Sequence, residues 1–365
     1  MTDNTSTIET LRGYFLTQAR HCQDLGSPFM VRLCTLFSRH LEHDSTFTDR
    51  LLALPHPDNF WGVALPLRVA GALHALVLTQ QCDTLAKVYP PNHDYVSDEE
   101  LWDAIMHAIQ VHEDFFVPYL GNAPQTNEVR RSGILLPGFL VIAQKTGLPF
   151  TLSELGASAG INLCWDEFDY RLGDSTWGKQ QGNITLAPQW LGKPPPRTLP
   201  ISVSSRAACD LSPINFLDPD KKLKLLSYIW ADQHDRFTRT DHALDILTAK
   251  KYKVDCADIS QWLPTRLALD TTATVHVIYH TIAWNYQSND EKQRNRQLIE
   301  TAGAKATHNA PLAWLRFEAD AQDPGAAITL TLWPDGREHT LGRADYHGRW
   351  IDWIGLDGEG AKEKP

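Results

Sequence analysis

A glycine turn headed by an acid is the first feature of this sequence that could do chemistry. Glu154 is followed by Gly156, Ser158 and Gly160, and the flanking apolar residues predict a strand before the turn and a helix after it. Such a turn aims backbone N–H groups at an anion or a polar ligand, and its glycines permit a tight bend and close helix–strand packing. The same letters spell G-x-S-x-G, the nucleophile elbow of serine hydrolases, with Ser158 at its tip.

Three further ionisable residues stand at the ends of later apolar segments that predict strands. Asp210 closes one such segment, Asp258 follows the next, and His280 closes the third. In a parallel sheet, ligands bind outside the carboxyl ends of the strands, so these residues are expected to lie beside the glycine turn. Carboxylates beside such a turn can hold a ribose, an adenine and a cationic amino-acid tail.

Each of these residues also has a purely structural explanation. The glycines could form nothing more than a tight strand–helix connection. Asp210 and Asp258 both precede residues that can start a helix, so each could be an N-cap. His280, at the end of an apolar run, could be a buried and hydrogen-bonded histidine. The sequence leaves these alternatives open.

The alternation of strand and helix signals after position 150 predicts the fold. Apolar and β-branched runs alternate with segments of helical periodicity, which is typical of a parallel sheet covered by helices. We therefore predict an α/β, Rossmann-type fold with a mostly parallel sheet and helices on both faces. The predicted strands after the first are 201–209, 252–254, 274–279, 312–317 and 328–332, followed by a hairpin at 337–353.

The first third of the chain carries a different pattern, because its apolar residues recur at helical spacing. It predicts an all-helical region that precedes the Rossmann domain and acts as its lid or cap. Thr126 or Asn127 is expected to cap the helix that leads into the first strand. The predicted division is 1–125 for the helical region, 126–356 for the Rossmann domain, and 357–365 for a flexible tail. The Rossmann domain carries an irregular insertion at 165–200, which contains two strand candidates, 169–172 and 184–186.

Polar residues near the predicted boundary are candidates for contacts with a substrate or with the domain junction. Asn127, Glu128 and Arg131 precede the first strand and are expected to meet the glycine turn. His74 lies within an apolar helix, where a packing histidine facing the domain junction is the interpretation we favour.

Composition excludes several classes of protein. The 365 residues are 42% hydrophobic, which allows a sizeable core and argues against global disorder. A net charge of −10 argues against a protein that tracks nucleic-acid phosphates. The start lacks the features of a signal peptide, and the longest apolar run is too short to span a bilayer. The six scattered cysteines favour reduced thiols in the cytoplasm, and neither HExxH nor paired cysteines support a metal site.

The glycine turn resembles that of class I S-adenosylmethionine-dependent methyltransferases, with the shared pattern acid–x–Gly–x–x–x–Gly. Two departures are visible: Ser158 stands where a glycine is usual, and Asp210 lies far beyond the roughly 20-residue offset of a ribose-binding acid. The resemblance implies S-adenosylmethionine as the cofactor. It implies these cofactor-binding residues: Glu154, Gly156, Ser158, Gly160, Asn162, Asp210 and Asp258.

A second resemblance covers nearly the whole chain. Strings at 72–78, 126–132, 154–163, 206–210 and 230–236, with His280-Thr281 and 347–350, look like the signatures of an uncharacterised bacterial family, domain-of-unknown-function family number 2332. This resemblance supports the fold and brings no established activity.

The function predicted first is methyl transfer to a small molecule, without a nucleic-acid or membrane partner. His280 would act as base or orienting group, and Tyr286, with Trp284 and Asn285, would shape the acceptor pocket. The second hypothesis is a binding or regulatory protein that keeps the fold without chemistry. The third is a serine hydrolase with Ser158 as nucleophile, served by Asp258 or Asp270 and by His280, His308 or His339.

Overall fold

The computed structural model describes residues 8–42, 45–54, 64–121, 124–180 and 182–356. The chain divides into two compact units, one of Met1–Thr126 with Asn215–Thr238 and one of Asn127–Ile214 with Arg239–Pro365. The first division lies one residue from the predicted boundary. Asn215–Thr238, which the sequence analysis assigned to the Rossmann domain, belongs instead to the helical unit. The predicted tail 357–365 lies outside the described residues, and the lid role stays a prediction.

The first unit is helical, and the second unit has helices of its own that cover its sheet. Serine caps begin several of them: Ser27, Ser45 and Ser97 each accept a backbone N–H, and Ser97 forms a capping box with Glu100. The described helices are α1 (Ile8–Asp24), α2 (Pro28–His40), α3 (Thr46–Ala53), α4 (Leu65–Leu78), α5 (Asp83–Ala86), α6 (Asp98–Val111), α7 (Glu113–Leu120), α8 (Arg131–Thr146), α9 (Pro219–Ser227), α10 (His234–Lys250), α11 (Ile259–Leu267) and α12 (Asn289–Gly303).

The inserted segment is packed tightly into the helical unit. Asp218 caps α9, and Tyr228, just after this helix, lies against Gly71 of α4. A Cβ atom at Gly71 would stand 2.5 Å from the Tyr228 ring, so only glycine allows this approach. Leu223, Tyr228 and Trp230 also pack against the apolar core formed by α1–α7. The fold of this unit therefore needs residues from two separate stretches of the chain.

The second unit is built on a nine-stranded sheet. Its order is β5-β12-β11-β10-β9-β8-β1-β6-β7, and the run from β9 to β7 is parallel throughout. Parallel pairs outnumber antiparallel ones, as predicted. The strands are β1 (Phe150–Leu155), β2 (Asp169–Leu172), β3 (Ser175–Trp177), β4 (Thr185–Leu186), β5 (Gln189–Gly192), β6 (Val203–Asp210), β7 (Asp255–Cys256), β8 (Val275–Thr281), β9 (Leu312–Glu318), β10 (Ala326–Trp333), β11 (Arg337–Ala344) and β12 (Trp350–Trp353).

Helices lie on both faces of this sheet, which confirms the predicted fold class. Neighbouring residues of a strand point to opposite faces. On β8, Tyr279 packs edge-on against Phe139 of α8, whereas Ile278 shares a cluster with Trp262 of α11 and Ile299 of α12. The sheet is thus buried on both sides, in keeping with its continuous apolar strands.

Three local predictions differ from the structure. The segment after the glycine turn is a 3₁₀-helix, Ile161–Glu167, interrupted by a non-helical Cys164, and not an α-helix. The strand predicted at 252–254 lies at Asp255–Cys256. The insertion at 165–200 is more regular than predicted: its two strand candidates are confirmed as β2 and β4, which form a small sheet with β3, and β5 joins the edge of the large sheet. Within the described ranges, no helix has the length and apolar character needed to cross a bilayer.

Candidate functional site

The sheet has a topological switch point between β1 and β8. From β1 the chain continues to β6 and β7 on one side, and β8 and β9 then follow on the other side. The carboxyl ends of these parallel strands share one edge, and in open α/β sheets ligands bind at such an edge, in the crevice beside the switch point. Glu154, Asp210, Asp258 and His280 all lie at the ends of these strands or just beyond them. The sequence prediction that they share one edge is therefore met.

The glycine turn adopts an uncommon backbone conformation at alternate residues. Gly156, Ser158 and Gly160 have φ values of +68°, +53° and +80°, all in the left-handed region. This region suits glycine and is unfavourable for residues with a Cβ atom, by about 1–2 kcal/mol. Ser158 therefore holds a backbone conformation that favours glycine.

The N–H groups of the turn are bonded within the protein. Those of Gly156 and Ala157 donate to the Cys209 carbonyl, and that of Ser158 donates to Oδ2 of Asp210 at 2.8 Å. The N–H of Ala159 donates to Oδ1 of Asn127 at 3.2 Å. The expectation that the turn presents these groups to an anion is therefore not met. The glycines make room for side chains of the protein itself, since a Cβ atom at Gly160 would stand 2.8 Å from Cγ2 of Val254.

Asp210 and Asp258 hold backbone groups at neighbouring strand ends. Asp210 accepts the N–H of Ser158 with one carboxylate oxygen and the N–H of Ser212 with the other. Asp258 is the N-cap of α11 and accepts the N–H of Ser260 at 2.7 Å, which confirms the alternative interpretation of this residue as a helix cap. A carboxylate has about four acceptor positions, so both groups keep lone pairs for a further donor.

Glu154 lies in the protein interior. Its side chain is 2% exposed, and Oε2 accepts a hydrogen bond from the Tyr279 hydroxyl at 3.1 Å. Burial raises the pKa of Glu154 to about 8, with the nearby Asp210 charge acting in the same direction. The carboxyl group is thus largely protonated near neutral pH. A ligand could not touch it without a rearrangement of the edge.

His280 is fully buried, and both of its ring nitrogens are engaged. Nδ1 lies 2.6 Å from Oε1 of Glu318, and Nε2 lies 3.1 Å from the indole nitrogen of Trp314. An indole N–H only donates, so Nε2 accepts and Nδ1 carries the proton that is donated to Glu318. The ring also stacks on Trp284 at 4.8 Å. In this arrangement His280 has no lone pair left for a substrate. Tyr286, the other residue predicted to be catalytic, is 84% exposed.

Glu318 is a residue that the sequence analysis missed. Oε1 accepts three hydrogen bonds, from Nδ1 of His280 and from the N–H groups of Ala283 and Trp284 at 2.9 and 3.1 Å. Oε2 is buried and has no hydrogen-bond partner among the residues that the structure describes. Glu318 ends β9, so the strand-end rule that selected Asp210 would also have selected it. Its carboxylate fastens the loop after β8.

That loop is strained and pressed against the glycine turn. Ile282 has a φ of +49°, which is rare for a β-branched residue and costs about 1–3 kcal/mol. A Cβ atom at Gly156 would stand 2.6 Å from Cβ of Ala283, so the loops after β1 and β8 meet there. Strain of this kind persists only where the surroundings enforce it, and it clusters at functional sites.

The residues that precede α8 also converge on this edge. Asn127 does not cap a helix, since α8 begins at Arg131, and its amide nitrogen donates to Oγ of Ser158 at 3.2 Å. Arg131 donates to the carbonyls of Thr281 and Tyr346. Asn127 and Arg131 therefore tie the chain before β1 to the glycine turn and to the end of β8.

Two further predicted residues take part in the same packing. Glu128 is 2% exposed; it accepts the N–H of Arg130, and its other oxygen lies 3.8 Å from Nδ1 of His347. Asn162 accepts the hydroxyl of Ser132 at 2.7 Å. His74 lies apart from this group, in the helical unit, where Nδ1 bonds the carbonyls of Ser227 and Ile229. Its role at the domain junction stays a prediction.

The strand order, the switch point and the convergence of these side chains define a Rossmann-type α/β protein preceded by a helical region. The chain belongs to a bacterial family described as "Uncharacterized protein conserved in bacteria (DUF2332)", whose model matches residues 12–353. No curated protein matches the chain.

Proposed function

We propose that the edge of the sheet beside the β1–β8 switch point binds S-adenosylmethionine, and that the chain is a methyltransferase-like protein acting on a small molecule. The observation that carries the proposal is the left-handed run Gly156, Ser158 and Gly160 beside two strand-end carboxylates, Asp210 and Asp258. A glycine turn with acids at the next two strand ends is what an adenosine-containing ligand needs at such an edge.

The residues present fit the adenosine half of this ligand. Asp210 accepts two backbone N–H groups, one on each oxygen, and Asp258 accepts one. Both carboxylates keep acceptor positions for the O–H groups of a ribose or the amine of an adenine. Glu154 is buried and largely protonated near neutral pH, so we assign it no contact with the ligand. Its side chain accepts a hydrogen bond from the Tyr279 hydroxyl within the core.

A bound methyl sulfonium supplies an activated methyl group, so the protein needs only to bind, align and exclude water. Asn127 and Asp210 hold the glycine turn in place through Ser158 and Ala159. Glu318 holds the backbone of Ala283 and Trp284, which leads to the exposed Tyr286. Tyr286 is the residue that we assign to contact with the methyl acceptor.

A specific observation favours the second hypothesis, a ligand-binding protein without chemistry. Both nitrogens of His280 are engaged, by Glu318 and Trp314, so the base proposed for the loop after β8 has no free lone pair. Binding and methyl transfer therefore have to be measured separately.

Calorimetric titration with S-adenosylmethionine and with its demethylated product tests binding. We expect one site per chain, and Asp210→Asn should weaken binding at least about tenfold, because a hydrogen bond to a charged group contributes about 1.5–3 kcal/mol. Asp352→Asn is the matched control, since Asp352 lies on β12 near the opposite end of the sheet. No heat of binding for either compound at millimolar concentration would refute the cofactor assignment.

The hydrolase hypothesis makes a different prediction for Ser158. Its Oγ accepts from the amide of Asn127, a group that cannot act as a base, and His280 is engaged elsewhere. We expect a fluorophosphonate probe to leave Ser158 unlabelled, and Ser158→Gly to bind S-adenosylmethionine as wild type does. Stoichiometric labelling of Ser158 would revive the hydrolase.

The same proposal assigns a small-molecule substrate and no nucleic-acid or membrane partner, with the cytoplasm as the compartment. The net charge of −10 and the six cysteines without a disulfide support this assignment.

A further inference from the structure

The helical unit contains a small cavity that the proposed function does not use. It is enclosed by side chains of α2 and α4, by Tyr89 and by residues 227–231. Its volume is about 10 Å³, close to the roughly 10–15 Å³ needed for a single water molecule. The space is thus far too small for a metabolite.

Tyr89, one of the residues that line the cavity, has a hydroxyl without a partner in the described part of the chain. The Tyr89 side chain is 1% exposed, and its hydroxyl forms no hydrogen bond with the part of the chain that the structure describes. Burial raises the pKa of Tyr89 well above its ordinary value, so the group is a neutral O–H that can donate and accept. Buried hydroxyls are nearly always hydrogen-bonded, and a buried water is a common partner.

His74, which also lines the cavity, has a defined protonation state. Nδ1 of His74 lies 2.8 Å from the Ile229 carbonyl and 3.1 Å from the Ser227 carbonyl. Both are acceptors, so Nδ1 carries the proton. Burial lowers the pKa of His74, which favours the neutral ring and leaves Nε2 as an acceptor. The residues that line the cavity therefore include a tyrosine whose hydroxyl can donate and accept and a histidine whose Nε2 can accept.

We propose that this cavity is a binding site for one ordered water molecule, held by the Tyr89 hydroxyl. The water satisfies the tyrosine and helps to fix residues 227–231 against α4, where His74 already holds two carbonyls of the same segment. It is thus part of what keeps Asn215–Thr238 in the helical unit.

Tyr89→Phe separates this proposal from a hydroxyl that is simply unpaired. If the water is present, the variant loses a hydrogen bond, and its Tm should fall by about 2–4 °C. If the hydroxyl has no partner, its removal is neutral or stabilising, and an unchanged or higher Tm would overturn the proposal. Tyr170→Phe is the positive control, because the Tyr170 hydroxyl donates to the Trp165 carbonyl at 2.6 Å and its loss must lower the Tm.

A crystal structure of the wild-type protein keeps the proposal testable should the variant fail to fold. At a resolution that shows other interior waters, we expect density within hydrogen-bond distance of the Tyr89 hydroxyl. A cavity without density in such a structure would overturn the proposal.

Discussion

Glu154→Gln is expected to stabilise the protein by about 4 kcal/mol at pH 8, an unusually large gain for one substitution. Glu154 has a pKa of about 8 in the folded protein against 4.5 for the ordinary group. Above pH 4.5 ionisation of this carboxyl group stabilises the unfolded chain, whereas the buried carboxyl group of the folded protein stays protonated up to about pH 8. Glutamine does not ionise, and its amide oxygen can still accept the Tyr279 hydroxyl.

The sign of the effect fixes its pH dependence. Because folding raises the pKa of Glu154, the contribution of this carboxyl group to stability is fully present below pH 4.5 and is lost as the pH rises to about 8. The difference between variant and wild type should therefore be near zero at pH 4 and grow by about 1.4 kcal/mol per pH unit. Urea unfolding at several pH values measures it, with the exposed Glu99→Gln as control. A difference that stays flat from pH 4 to pH 8 would show that Glu154 ionises normally in the fold.

Glu318→Ala is expected to destabilise the sheet unit by about 3–5 kcal/mol, because it leaves three donors without their acceptor. These donors are Nδ1 of His280 and the N–H groups of Ala283 and Trp284. Without these hydrogen bonds, the loop that contains the strained residue Ile282 loses part of its support.

The matched variant Glu318→Gln keeps an amide oxygen in the position of Oε1, so its loss should be no more than about 1–2 kcal/mol. Denaturant unfolding followed by tryptophan fluorescence reports the change, since Trp284 and Trp314 both contact His280. Glu300→Ala, on the exposed side of α12, is the control. A Glu318→Ala variant within 1 kcal/mol of wild type would contradict the described hydrogen bonds.

Much of the sheet could be predicted because its strands are buried on both faces. Continuous apolar runs such as Val275–Thr281 are visible without knowledge of their partners, and the strand-end rule then located Asp210, Asp258 and His280. The 3₁₀-helix at Ile161–Glu167 was missed because its apolar spacing also fits an α-helix. Local pattern alone does not separate the two.

What the sequence could not reveal depends on contacts between distant residues. Asn127 looks like a helix cap, yet its side chain bonds to a turn 31 residues later. The segment Asn215–Thr238 lies between two strands in sequence but packs with the helical unit, partly because Gly71 makes room for Tyr228. The pairing of His280 with Glu318 and Trp314 likewise spans more than 30 residues, so its effect on the proposed base could not be foreseen.

The central claim, that the ligand binds at the switch-point edge, can be tested through Cys256. All six cysteines lie in the described ranges, five of them buried, and Cys256 is exposed and pairs with Asp210 across β6 and β7. Alkylation by iodoacetamide, followed by mass spectrometry, should therefore modify Cys256 first. We expect S-adenosylmethionine at about 100 times its Kd to slow this reaction about tenfold or more. An unchanged rate with bound ligand, as shown by calorimetry, would place the ligand elsewhere and contradict the account.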